Sequence, residues 1–180
     1  MTLTSSCAVS YSAIRGDDMR NKLTFKTGWQ PGLIGEIAAA HGRYYADHWG
    51  FGVVFESQVG RGCGQYLERV RPDDLTLSVW DGDRFAGSLI LDLNDPDALG
   101  AAHLRWFIVT SPGQGLGRRL MDQAMTHLDQ QRRSCFLTTF QGLDTARRLY
   151  ENHGFVLTDE QPGESWGTKV VEQRFDRPVA

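Results

Sequence analysis

A strand, a glycine-rich segment and an amphipathic helix follow one another over residues 102–133, and this succession constrains the fold most. The β-branched and aromatic content of residues 102–110 predicts a strand. Apolar residues then recur at every fourth position over residues 113–133, which predicts a helix with one apolar face. These apolar residues are Leu116, Leu120, Ala124 and Leu128.

The rest of the chain predicts further strands and helices that complete one sheet. Asp81-Gly82 indicates a hairpin, and Asp144 is predicted to cap a helix that runs to His153. Strands are expected at 23–27, 75–80, 84–93, 102–110, 134–140, 155–158 and 168–175, and helices at 31–49, 53–69, 113–133 and 144–153. The order β-α-α-β-β-β-α-β-α-β-β implies an α+β fold with a mixed, mostly antiparallel sheet.

Length and charge set the class of protein. The chain has 180 residues and a formal net charge of −3. This length suits one domain, expected over residues 21–180 after a flexible tail at 1–20. An acidic balance argues against a main role in nucleic-acid binding, and it mildly favours a cationic partner.

Cysteine use and hydropathy add expectations about metals and location. Cys7, Cys63 and Cys135 are far apart and form no metal-binding pattern, so neither a zinc site nor a disulfide framework is expected. No signal peptide or membrane span is recognisable, which favours a cytoplasmic protein without a membrane partner. The assembly is open, and a homodimer is the commonest outcome for such chains.

The glycine-rich segment has the physical properties of an anion cradle. Gly113, Gly115 and Gly117 let the backbone approach a phosphate closely, and the following helix adds the positive end of its dipole. Arg118 and Arg119 would oppose that dipole unless an anion lies nearby. Taken alone, the segment is equally compatible with a tight turn followed by two solvated arginines. The spacing fits neither a Walker loop nor a dinucleotide fingerprint.

Two motifs resemble the GNAT superfamily of N-acetyltransferases. Residues 109–120, Val-x-x-Pro-Gly-Gln-Gly-Leu-Gly-Arg-Arg-Leu, are similar to its motif A. Residues 146–155, Ala-Arg-Arg-Leu-Tyr-Glu-Asn-His-Gly-Phe, are similar to its motif B. The pair is far more specific than either half, and the resemblance covers roughly residues 22–176.

A closer resemblance is to the acetyltransferase half of proteins that fuse a MarR-type regulator to a GNAT domain. It rests on segments at 41–45, 104–107, 142–150 and 165–167. This chain has no room for the regulator half, so the kinship does not imply DNA binding.

The GNAT resemblance implies acetyl-CoA as co-substrate, in a split between the fourth and fifth strands. The implied cofactor-binding residues are Ile108, Val109, Thr110, Gly113, Gln114, Gly115, Leu116, Gly117 and Arg118. The family usually has Gln or Arg where this chain has Pro112, which offers no N–H, so one pyrophosphate contact is expected to be missing. Gln114, Arg118 or Arg119 would compensate.

The implied reaction is direct attack of an amine on the thioester. Tyr150 lies at the family's general-acid position, and the backbone N–H of Val109 is the implied oxyanion donor. The motifs leave the general base open. Its candidates are Glu36, His41, His48, Glu56 and Asp92.

The acceptor side is expected on the first predicted helix, where His41 and Tyr45 share a face. The chain is therefore predicted to be an N-acetyltransferase for a small-molecule or peptide amine. One alternative is a non-catalytic acyl-CoA-binding or sensing module on the same fold. Another is a phosphate-binding protein of a different fold that uses only the glycine-rich segment.

Overall fold

The computed structural model describes residues 23–179, and its elements follow the predicted order. The predicted tail at 1–20 lies outside the described residues. The strands are β1 (Leu23–Thr27), β2 (Leu75–Asp81), β3 (Arg84–Asp92), β4 (Ala102–Val109), β5 (Cys135–Phe140), β6 (Val156–Gly163) and β7 (Val170–Arg177). The helices are α1 (Leu33–Trp49), α2 (Val53–Arg69), α3 (Leu116–Gln130) and α4 (Asp144–Asn152).

All seven strands form one sheet in the order β1-β2-β3-β4-β5-β7-β6. Every neighbouring pair is antiparallel except β4 and β5, which are parallel and connected through α3. The α+β class with a mixed, mostly antiparallel sheet is thereby confirmed.

The helices cover both faces of this sheet. On one face, α3 packs Leu120 and Leu128 against the strands, and α4 adds Tyr150 to the same apolar cluster. On the other face, α1 and α2 contribute Ile37 and Phe55 to a second cluster. Both faces of the central strands are therefore buried, as the continuous burial of β3 reflects.

Two helices begin later than predicted, and one predicted cap is absent. The first helix begins at Leu33 rather than at residue 31, because Gly32 has a φ of 87°, outside the helical region. The third helix begins at Leu116 rather than Gly113, because Gly113 and Gly115 have φ angles of 91° and 66°, outside the helical region. The prediction that Asp144 caps α4 is wrong. The capping position belongs to Leu143, no side chain hydrogen-bonds the helix start, and Asp144 is the first helical residue.

The parallel pair β4–β5 separates after its first two residues. Pairing within the described part of the chain is confined to Ala102 with Cys135 and His103 with Phe136. Beyond this point β5 stays fully paired with β7. The two central strands therefore open into a split toward their carboxyl ends.

A bulge at Trp106 accompanies this opening. The register between β3 and β4 shifts there, and Trp106 has a φ of 46°, which is unfavourable for a bulky side chain. Ser88 donates a hydrogen bond of 2.8 Å to the Trp106 carbonyl, and the Arg105 guanidinium lies 4.2 Å from the indole centroid. Gly62 makes room for the ring, because a Cβ there would lie 3.0 Å from it. Contacts with β3 and α2, together with the neighbouring Arg105, thus hold a conformation that is unfavourable for a bulky side chain.

We expect Ser88→Ala to lower the free energy of unfolding by about 1–2 kcal/mol, because the part-buried Trp106 carbonyl loses its hydroxyl donor. Urea denaturation measures the change. Thr126→Ala, which removes an exposed hydroxyl that donates to the Asp122 carbonyl, is the matched control and should cost less than about 0.5 kcal/mol. Equal effects of the two substitutions would contradict a special role for the bulge.

Candidate active site

A cavity of about 230 Å³ lies where β4 and β5 separate. Its wall combines side chains of α1, α2, β4, β5 and α4 with Trp166 from the loop between β6 and β7. Because the strands are unpaired here, the cavity reaches from the α1–α2 face of the sheet to Tyr150 of α4. The split thus brings both helical layers to one site.

The predicted acceptor-side residues His41 and Tyr45 both line this cavity. Their rings lie 6.1 Å apart, one helical turn from each other on α1. The Nδ1–H of His41 donates to the Ile37 carbonyl at 2.8 Å, so Nε2 carries the free lone pair. Burial lowers the pKa of His41 to about 4, which keeps the imidazole neutral at physiological pH.

Tyr150, the predicted general acid, reaches the cavity from the opposite face of the sheet. Its side chain is 7% exposed and packs beside Phe107, with ring centroids 6.2 Å apart. Burial, reinforced by the nearby Tyr45, raises the pKa of Tyr150 above its usual value. No hydrogen bond joins its hydroxyl to another described residue, so the O–H is available to a bound molecule.

His103 and Asp95 form a pair that the sequence analysis missed. The Nδ1–H of His103 donates to Asp95 Oδ2 at 2.6 Å, and the imidazole stacks on Phe136 at 4.2 Å. Burial lowers the pKa of His103 to about 4 despite the carboxylate, so this ring is also neutral. His103 lines the cavity. The alternation of side chains along β4 places His103 on the α1–α2 face of the sheet, but nothing in the sequence indicates that Asp95 reaches it.

The other candidate bases lie elsewhere. Glu36, His48 and Glu56 are exposed and contribute nothing to the cavity wall. Asp92 is fully buried, and both of its carboxylate oxygens accept hydrogen bonds from Arg69. Of the five candidate bases proposed from the sequence, His41 is therefore the one that lines the cavity.

The backbone of β4 directs a peptide group, that of Val109, toward the split. Thr110 N–H donates to the Ala86 carbonyl at 3.0 Å, and the Ile108 carbonyl lies against Gly87. Both residues therefore direct their peptide groups to β3. Because successive residues of a strand alternate, Val109 directs its N–H and carbonyl to the opposite side, into the split.

The glycine-rich segment fits a phosphate group. Gly113 has a φ of 91°, and a Cβ on it or on Gly115 would meet no atom within 4 Å. No side chain caps α3, whose first turn contains no acidic residue. The helix N-terminus therefore presents free amides and a positive dipole to open space. Gly117 packs against β4 and α4 instead, since a Cβ there would lie 3.4 Å from Leu149.

The two arginines of α3 differ in their surroundings. The Arg119 guanidinium lies 4.1 Å from the ring centroid of Phe25 on β1. Arg118 is exposed and forms no ion pair with any described residue. Arg118 and Gln114 are thus the exposed polar side chains beside Pro112, where the resemblance implies a lost contact. Within residues 23–179, no cluster of side chains suited to a metal ion is present.

We expect the free energy of unfolding to fall by about 3 kcal/mol between pH 6.5 and pH 4 through His41 alone. In this range His41 is protonated in the unfolded chain but neutral in the folded protein. The free energy of unfolding therefore falls as the pH is lowered from 6.5. Urea titrations across this range should show the loss reduced in His41→Gln. His48→Gln is the control. It removes an exposed histidine whose Nδ1 hydrogen-bonds a carbonyl four residues earlier, as in His41, and it should leave the loss of stability between pH 6.5 and pH 4 unchanged.

Comparisons with known proteins agree with this fold. The protein-family model of the acetyltransferase (GNAT) domain matches residues 52–175 of this sequence. The GNAT-family acetyltransferase of Streptococcus pneumoniae is 16% identical, with a TM-score of 0.66, over 88% of this chain and 100% of that chain. A GNAT-family acetyltransferase of Staphylococcus aureus Mu50 is 14% identical, with a TM-score of 0.66, over 88% and 100% of the two chains.

A third structure was determined with a bound cofactor. The yncA protein of Salmonella typhimurium, solved with acetyl-CoA, is 12% identical, with a TM-score of 0.67, over 88% of this chain and 94% of that chain. No curated protein matches the sequence significantly. No helix within residues 23–179 is long and apolar enough to span a membrane. Because the family model matches well over half of the sequence, including both predicted motifs, the chain belongs to the GNAT acetyltransferase family.

Proposed function

We propose that this protein is an acetyl-CoA-dependent N-acetyltransferase that acts on an amine held in the cavity. One observation carries the proposal. A buried tyrosine hydroxyl with no hydrogen-bond partner among the described residues lines the cavity at the split, and strand alternation directs the Val109 N–H toward the same split, shortly before a glycine-rich helix start. The two halves of the site would serve two substrates, because the cavity opens on the α1–α2 face and the glycine-rich segment belongs to α3.

The residues that would hold acetyl-CoA belong to β4 and the start of α3. Amides of residues 113–118 would receive the pyrophosphate, with Arg118 as the nearby positive charge. Val109 would pair with the pantetheine arm, while the peptide groups of Ile108 and Thr110 complete the sheet. Acetyl-CoA, when bound, supplies an acetyl thioester that an amine can attack.

In the proposed mechanism, protein groups act at both ends of the reaction. Val109 N–H donates a hydrogen bond to the thioester oxygen as negative charge develops there. His41 Nε2 accepts a proton from the attacking amine nitrogen, and Tyr150 donates its hydroxyl proton to the leaving sulfur. The C–S bond breaks as the C–N bond forms, and exchange with solvent then restores both side chains. The neutral state of His41 and the protonated state of Tyr150 suit these roles at physiological pH.

A sensing module is the second candidate, because Pro112 is exposed at the position where the family usually has Gln or Arg. Weak acetyl-CoA binding without turnover would favour it. The closer kinship to MarR–GNAT fusion proteins, a single domain over 21–180, a cytoplasmic location and a homodimer stay predictions.

We expect Tyr150→Phe to lower kcat for thiol release from acetyl-CoA at least tenfold, because the leaving sulfur loses its proton donor. A thiol-reactive dye in the presence of an amine panel measures the rate. Tyr44→Phe removes an exposed hydroxyl outside the cavity and should retain full activity. A fully active Tyr150→Phe protein would eliminate Tyr150 as the acid while leaving the transferase proposal intact.

We expect Gly113→Val to weaken acetyl-CoA binding at least tenfold, because the side chain would occupy the open space of the anion cradle. The shift of the melting temperature with acetyl-CoA concentration gives the affinity. Gly28→Val is the matched control, since Gly28 has a similar φ of 82°, equally open surroundings and no part in the site. An equal loss of affinity in both variants would mean that the effect is indirect.

A further inference from the structure

We propose that the acceptor is a compact monoamine with an aromatic or aliphatic body, and that polyamines and lysine-rich peptides are poor acceptors. This inference rests on the proposed acetyl transfer and specifies the class of amine. It opposes the mild preference for a cationic partner that the acidic net charge of the whole chain suggested.

One part of the cavity wall is aromatic. Tyr45 and Phe55 lie 4.8 Å apart between ring centroids, and Phe140 lies 5.8 Å from both Tyr45 and Trp166. These four rings come from α1, α2, β5 and the loop between β6 and β7. An acceptor that packs against this aromatic wall buries apolar area, which favours an aromatic or branched aliphatic body.

Trp166 is fixed over this wall by contacts of its own loop. Gln58 of α2 donates to the Ser165 carbonyl at 2.8 Å, and Ser165 N–H donates to Glu172 at 2.8 Å. Gly167 has a φ of 77° and packs so closely on Val54 that a Cβ would lie 2.8 Å from its side chain. The indole is thus a preorganised part of the wall.

The charges around the cavity disfavour a polycation. Among the residues of 23–179 that line it there is no aspartate, glutamate or lysine, and Arg105 is the charged residue among them. The carboxylates of Asp92 and Asp95 lie behind Arg105, at 3.6 Å and 3.5 Å from Nη1, and they are bound to Arg69 and His103. Each additional ammonium group of an acceptor would therefore lose water without gaining an anionic partner.

The reacting amine itself is accommodated as a neutral group. Both imidazoles in the wall, those of His41 and His103, use Nδ1–H in hydrogen bonds to oxygen and leave Nε2 as an acceptor. One uncharged NH₂ group can donate to such a nitrogen.

The volume sets the size of the body. An apolar cavity of roughly 150 Å³ can hold a benzene molecule. The volume of about 230 Å³ here also has to admit the acetyl end of the cofactor beside Tyr150, so one ring with a short amine-bearing chain is the upper limit for the acceptor.

The test compares kcat/KM for thiol release with phenethylamine, spermidine and a short lysine-rich peptide. We expect phenethylamine to exceed both others at least tenfold. A preference for spermidine or the peptide would overturn the inference and keep the transferase. Failure of every amine, with intact stabilisation by acetyl-CoA, would overturn the transferase proposal and this inference with it.

Two variants connect the preference to the cavity. Trp166→Ala should lower kcat/KM for phenethylamine at least tenfold without changing stabilisation by acetyl-CoA, whereas Trp29→Ala, which removes an exposed indole outside the cavity, should not. Thr138→Asp introduces a carboxylate into the wall and should shift the ratio of kcat/KM severalfold toward spermidine, whereas Thr126→Asp should not. Unchanged selectivity in both cavity variants would refute the assignment of the acceptor to this cavity.

Discussion

The separation of β4 from β5 is the constraint on which the site depends. Two parallel strands at the centre of a sheet ordinarily bury their peptide groups against each other. Here β4 pairs with β5 only at its first two residues, while the bulge at Trp106 turns the rest away. The unpaired stretch provides the Val109 N–H that faces the split and the opening through which Tyr150 and the α1–α2 face share one cavity.

The bulge itself is stabilised by its neighbour Arg105 and by groups of two other elements. A tryptophan with a positive φ is costly, and its cost is offset by the Ser88 hydroxyl, the Arg105 guanidinium and the space left by Gly62. These three groups lie on β3, β4 and α2. The site geometry therefore depends on the packing of α2 against the sheet as much as on β4.

Burial gives the cavity its chemical character. The imidazoles of His41 and His103 are neutral and the Tyr150 hydroxyl is protonated because the apolar surroundings disfavour charge. The positive charge of Arg105 is balanced by the carboxylates of Asp92 and Asp95, which lie behind the cavity wall. A site of this kind suits uncharged nucleophiles, and the net charge of −3 over the whole chain says little about it.

The sequence by itself determined the order of elements, the two motifs and the position of Tyr150, because amphipathic period and glycine spacing are local properties. It also indicated that His41 and Tyr45 share one helical face. Only the tertiary structure decided that Asp95 orients His103, that the peptide group of Val109 faces the split, and that α4 begins without a cap from Asp144. The first two features depend on contacts between separate segments and on strand register. A local sequence pattern does not determine such contacts, so these features could not be predicted from it.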